Sequence, residues 1–173
     1  MSIGTEQKSG FNTKKLVYLA LLLALTVGLM QFTLAFPFVN VSFSYLPIAL
    51  TGMLFGPAAG ASVGFLSNEL NALIKGFGFN PWYSLVPMFK GLLYGLVFFK
   101  RDASRLQIIL CQLVISIVLH LFANTLLLYV FFNKGALGSL PVRVLKNVMF
   151  FPVEVLTLIK MAQYKPVFAR LIK

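Results

Sequence analysis

Between Asn68 and Lys75 an otherwise oily stretch carries two amides, an acid and an amine: Asn68, Glu69, Asn71 and Lys75. A second group lies nearer the C-terminus. There Arg143, Asn147, Phe150 and Glu154 step by four, three and four, a spacing that aligns side chains on one helix face. Gln31, Lys90, His120 and Asn124 stand singly in other apolar runs. These residue types suit recognition better than bond-making. Amides read amides and hydroxyls, and a guanidinium can hold a carboxylate bidentately. The sequence lacks paired carboxylates in one motif, a Ser–His–acid set and a cluster of metal ligands, so neither an enzyme nor a metal site is expected. It also lacks a G-x-x-x-x-G-K-[ST] loop, so this chain should not hydrolyse ATP by that route.

Composition says where such residues must sit. Of 173 residues, 59% are hydrophobic, more apolar surface than a soluble domain of this size can hide. Only four acids, Glu6, Glu69, Asp102 and Glu154, face fifteen Lys and Arg, for a net charge of +11. Nucleic acid is a poor explanation of that charge, because the bases bracket apolar runs and no RNA-binding motif is present. Membrane topology explains them better. Cys111 is alone in an apolar run and reads as buried filler, without a disulfide or zinc role. The polar start, residues 1–14, carries neither a cleavable signal pattern nor a myristoylation glycine.

A helix needs about 20 apolar residues to cross a bilayer. The breaks at Pro37, Gly56-Pro57, Pro81, "KRDASR" and "NKGALGS" predict an all-α integral membrane bundle of six helices in a single domain. The helices are expected at about 16–34, 43–56, 58–76, 84–99, 106–132 and 140–163. The second and fourth reach only about 20–24 Å against about 30 Å of hydrocarbon, so they must be tilted, re-entrant or shielded by neighbours. Five spans with a re-entrant segment are the alternative. Lys8, Lys14, Lys15, Lys100, Arg101, Arg105, Lys165, Arg170 and Lys173 fall on one side, which places both termini in the cytoplasm.

With that topology Gln31, Asn68, Asn71, Lys75, His120, Asn124, Arg143, Lys146 and Asn147 share the outer half, and their common depth suggests one outward-facing pocket. Each has a plainer role. Arg143 could snorkel to headgroups. Asn68 and Asn71 could bridge helices. His120 reads as a bridging donor, Glu154 as the partner of an internal donor, and Glu69 with Lys90 as a hidden ion pair. Phe36, Phe38, Phe43, Tyr45, Phe77, Phe79, Trp82 and Tyr83 crowd the outer loops. Part of them form an interfacial belt, while Trp82 and Tyr83, in a Gly- and Pro-rich loop, could close over a flat ligand. Ala20 and Ala24, four apart, allow another helix to approach closely, within this bundle or from another subunit.

"FSYLPIALTGMLFGPAAG" and "LPVRVLKNVMFFPVEV" resemble the substrate-binding S components of energy-coupling factor (ECF) vitamin transporters, above all the folate family. The likeness spans nearly the whole chain. It implies a six-helix bundle that binds a water-soluble vitamin and docks on a transmembrane coupling protein with two cytoplasmic ATPases. The ATP is used by those partners, and no cofactor belongs to this chain. Ala20 and Ala24 match the family's docking motif. The pocket positions carry over to the outer loops and to Arg143 with Asn147. Gln31 stands where folate-type members often have a base, so pantothenate, with one carboxylate, competes with folate. A different class remains open: a stand-alone proton-coupled transporter using Glu69 or Glu154, or a structural subunit without ligand. The expected ligand contacts are therefore Gln31, Asn68, Asn71, Lys75, Trp82, Tyr83, Asn124, Arg143 and Asn147.

Overall fold

The computed structural model describes residues 13–32, 34–36, 39–100, 104–123, 125–127, 130 and 140–172, without the side chains of 34–36, 39–41, 140, 142, 143 and 169–172. Among the described residues there are six helices and one short hairpin. They are α1 (Thr13–Gln31), β1 (Leu34–Phe36), β2 (Val39–Val41), α2 (Tyr45–Phe55), α3 (Pro57–Ile74), α4 (Pro81–Phe98), α5 (Arg105–Val114, continued by a π-helical stretch Ile115–Ala123) and α6 (Leu140–Ile172).

Proline and glycine set several of these boundaries. Pro57 and Pro81 occupy the first turns of α3 and α4, where a missing N–H leaves nothing unsatisfied. Gly56 joins α2 to α3 at φ +98°, a conformation that a side chain resists. A Ser104–Gln107 capping box opens α5. Two features differ from the sequence expectation. The chain after α1 does not run on as helix to residue 34. It turns through an antiparallel hairpin pairing Leu34 with Val41 and Phe36 with Val39. Helix α6 continues past Gln163 to Ile172, with Pro166 inside it.

The core lies where α2, α3 and α4 meet. Short α2, about 16 Å long at 1.5 Å per residue, is buried at Tyr45, Ile48, Ala49 and Met53 and is screened by its neighbours. Glycines let the backbones touch. A Cβ on Gly64 would sit 2.2 Å from the Pro87 carbonyl oxygen, and one on Gly91 would sit 2.1 Å from that of Gly60. Helix α1 packs chiefly on α2 and α3, whereas α6 packs on α5 and α2. Tyr94, Phe98, Ile108, Ile115 and Leu158 join α4, α5 and α6.

The outside is as apolar as the inside. Leu21, Leu25, Leu66, Leu96, Leu110, Ile117, Val148 and Leu156 are exposed on five different helices. A solvent of hydrocarbon, not water, tolerates such a surface. Thr13–Gln31 and Arg105–Leu127 are each long and apolar enough to cross a membrane unaided.

Candidate ligand-binding site

At one end of the bundle lie the C-terminal ends of α1 and α3, the N-terminal ends of α2, α4 and α6, and the second half of α5. Two adjoining cavities open among them. The first, about 170 Å³, is lined by polar groups including Ser42, Lys90, His120, Lys146, Asn147 and Glu154, with Phe43 and Phe150. The second, about 200 Å³, is lined by Met30, Ile48, Val86 and Pro87 together with Asn68 and Tyr83. Ser44, Tyr45, Lys90 and His120 belong to both walls, so the two are lobes of one chamber. Together they reach the lower end of the range of about 300–1,000 Å³ usual for small-molecule sites.

Local sequence explains the walls. Pro87 inside α4 has no N–H for the carbonyl of Tyr83, which loosens the helix where it borders the second lobe. The π stretch of α5 pairs i with i+5, and so resets which residues face inward at His120. Ser42 Oγ donates to Leu29 O at 3.3 Å and accepts from Ser44 N at 3.3 Å, tying the start of α2 to the last turns of α1.

Lys90 Nζ, 6% exposed, meets His120 Nε2 at 3.1 Å and lies 5.3 Å from the centre of the Tyr45 ring. Tyr45 Oη and Thr157 Oγ1 are 2.7 Å apart, joining α2 to α6. Below the chamber Tyr94 Oη donates to Gln112 Oε1 at 2.8 Å, and Gln112 Nε2 donates to Glu154 Oε2. This chain of bonds closes the floor across α4, α5 and α6.

The family model for the ECF-type riboflavin transporter, S component, matches residues 10–161. The chain belongs to this S-component family. It is therefore the substrate-binding S component of an ECF-type transporter, an integral membrane protein and not an enzyme, whose partner is an ECF module. Two curated relatives carry the name folate transporter FolT. One, from Clostridium novyi, is 26% identical over 83% of this chain and 84% of its own. The other, from Leuconostoc mesenteroides, is 24% identical over 83% of this chain and 82% of its own. Among solved structures, FolT bound with folic acid superposes with a TM-score of 0.80 at 23% identity, over 87% of this chain and 94% of that one. An S component of a bacterial ECF transporter gives a TM-score of 0.55 at 25% identity, over 88% and 97%.

The residues singled out from sequence fall in different places in this S component. Asn68, Tyr83 and Asn147 line the chamber. Asn68 Nδ2 also donates to Ser84 Oγ at 2.9 Å. Gln31 Nε2 donates to Asn71 Oδ1 at 3.0 Å, a link between α1 and α3 away from the lining. Lys75 caps the end of α3, exposed, and Trp82 is exposed, as are Phe77 and Phe79 between α3 and α4. Arg143 lies in the first turn of α6, with its side chain outside the described residues, and Asn124 is outside them altogether. Ala20 and Ala24 are exposed on one face of α1.

The expected Glu69–Lys90 pair does not form. Glu69 accepts from Ser84 Oγ at 2.5 Å and from Asn80 N at 3.3 Å, which ties the α3–α4 turn at its base. Lys90 points instead to His120. The expected ligand contacts did not include Lys90, Lys146 and Tyr45, which line the chamber. The signal for Lys90 was nevertheless present: a lone lysine in "SLVPMFKGLLYGLVFF", deep in an apolar helix, is a functional candidate by cost alone.

Proposed function

We propose that this S component binds a folate-type vitamin in the two-lobed chamber and delivers it to an ATP-driven ECF importer. The observation that carries this reading is the chamber's mixed lining. Tyr45, Tyr83, Phe43 and Phe150 offer aromatic faces suited to a flat ring, and Lys90, Lys146, Asn68 and Asn147 offer amines and amides suited to a polar, acidic tail. The folate transporters among its relatives support the same choice. Asn68, Tyr83 and Asn147 contact the vitamin, and Arg143 guards the mouth one turn before Asn147. The exposed aromatics Phe77, Phe79 and Trp82 sit in the interface around that mouth.

The chamber faces outward and both termini face the cytoplasm. Lys14 and Lys15 start α1, Lys100 follows α4, Arg105 starts α5 and Lys165 lies late in α6, all at the end away from the chamber. Lys165 Nζ donates to Phe98 O at 2.8 Å, which fastens α6 to α4 at that end. The partners are a transmembrane coupling protein, docked through Ala20 and Ala24, and two cytoplasmic ATPases that consume the ATP.

Gentle purification followed by mass spectrometry of retained small molecules tests the vitamin, with titration of folic acid, pantothenate and riboflavin as confirmation. Folic acid is the expected ligand. Retention of riboflavin, or of nothing at all with no saturable binding, would overturn the folate reading. The family model's riboflavin description makes that flavin the competitor to include.

A further inference from the structure

The chamber's amines outnumber its carboxylates among the described residues. Lys90 is buried, and its two recorded partners, the His120 ring and the Tyr45 face, carry no negative charge. Glu154 is the one carboxylate on either wall among the described residues, and its Oε2 already accepts from Gln112. Against it stand two amines, Lys90 and Lys146, in the same lobe. Among the described residues the lobe's lining therefore carries one amine more than it carries carboxylates. A cation in a low-dielectric interior is expensive unless a counter-charge reaches it, and a cavity beside it is where that counter-charge can come from. The Tyr45 ring softens the imbalance without removing it.

We infer that Lys90 and Lys146 form the seat for a carboxylate of the bound ligand, so that the chamber selects anionic vitamins over neutral ones of similar size. The one extra amine fits a single carboxylate. His120 Nε2 holds the Lys90 amine at the junction of the lobes, and Asn147 and Ser42 stand on the same wall to bond the second carboxylate oxygen. Met30, Ile48, Val86 and Pro87 then take the uncharged part of the ligand in the other lobe. This assignment rests on the vitamin-receptor reading, and it adds Lys90 and Lys146 to the Arg143 that the sequence offered for a carboxylate.

The test compares folic acid with its bis-carboxamide, in which both glutamate carboxylates are amides, on the full-length protein in detergent. Lys90→Met should weaken folic acid by about 30-fold or more while leaving the bis-carboxamide's affinity unchanged. Lys90→Arg should keep most of the preference for the acid. Equal losses for acid and amide would overturn the seat and leave the folate reading intact. Should the unaltered protein ignore folic acid but bind pantothenate, with that binding lost in Lys90→Met, the seat stands and folate falls. Tight riboflavin binding indifferent to Lys90→Met would remove both. Thermal unfolding monitors each variant. If Lys90→Met does not fold, Lys146→Met must show the same split between acid and amide, and its failure to do so counts against the seat.

Discussion

The α2–α3–α4 packet and the α5–α6 pair differ in what separates their backbones. In the packet, glycine meets backbone: Gly52, Gly60, Gly64, Gly91 and Gly95 each leave no room for a Cβ. In the pair, large side chains and hydrogen-bonded polar groups fill the gap, with Ile115, Leu158 and the Tyr94–Gln112–Glu154 chain between helices. Backbone contact in lipid gives a unit with one packing solution. Side-chain contact leaves space, and the chamber opens on the side where α5 and α6 face the packet. The comparison teaches that the receptor is a rigid wall facing an adjustable one, with Lys90 on the first and Lys146 and Asn147 on the second.

The sharpest way to break the rigid wall is Gly91→Val. Its Cβ would lie 2.1 Å from the Gly60 carbonyl oxygen, a backbone atom that cannot swing aside. Overpacking of this kind costs about 3 kcal/mol or more, enough to leave little folded protein, as size-exclusion and thermal unfolding in detergent would show. Gly28→Ala on α1 is the control. Nothing lies within 4 Å of its added methyl, so stability should hold or rise by up to about 1 kcal/mol. Equal behaviour of the two variants would mean that the packet is not locked by glycine.

The adjustable wall is probed by Gln112→Leu. Gln112 is fully buried and links Tyr94 to Glu154. Its loss strands a buried hydroxyl and a carboxylate, with an expected destabilisation of about 2–4 kcal/mol. Ligand affinity should fall with it, because Glu154 also lines the chamber. A stable variant with normal affinity would show that the floor is not held by this chain of bonds.

How much of this was readable beforehand divides along the same line. Helix breaks at Gly56-Pro57 and Pro81 are properties of the backbone, and sequence carries them directly. The glycines of the packet are visible too, once α3 and α4 are set side by side. The depth argument brought Asn68, His120 and Asn147 to the same region because depth follows from position along a helix. What it could not supply was rotation about the helix axis. Asn71 is three residues from Asn68, yet it bonds Gln31 instead of lining the chamber. His120 sits in a π stretch whose i to i+5 pairing has no residue signature, and its meeting with Lys90 depends on that turn. The hairpin at Leu34–Val41 was hidden by Pro37, which reads as a break before it reads as a turn.

A third prediction sets the inside of the bundle against its outside. Ala20 and Ala24 are exposed on α1, the helix whose one buried residue is Thr26. If that face docks the coupling protein, Ala20→Leu with Ala24→Leu leaves vitamin affinity unchanged and lowers ATP-driven uptake about tenfold, an effect of about 1.4 kcal/mol on association. Normal uptake in reconstituted vesicles would return the two alanines to the role of lipid-facing residues.

The smallest expected effect belongs to the seam between the two walls. Tyr45 Oη and Thr157 Oγ1, 2.7 Å apart, form a side-chain bond from the packet to α6. Tyr45→Phe removes that bond and keeps the ring over Lys90. A single neutral hydrogen bond contributes about 0.5–1.5 kcal/mol, so unfolding should shift by only a few degrees. The affinity change is the more telling number. Thr157 Oγ1 already donates to Val153 O at 2.8 Å, so the bond to Tyr45 is an addition and not its sole support. If α6 is held in place by packing on α5 and α2, affinity moves no more than stability does. A loss of affinity that outruns the loss of stability would mean that this hydroxyl pair holds the adjustable wall at its working distance, and that α6 shifts when the seam is cut.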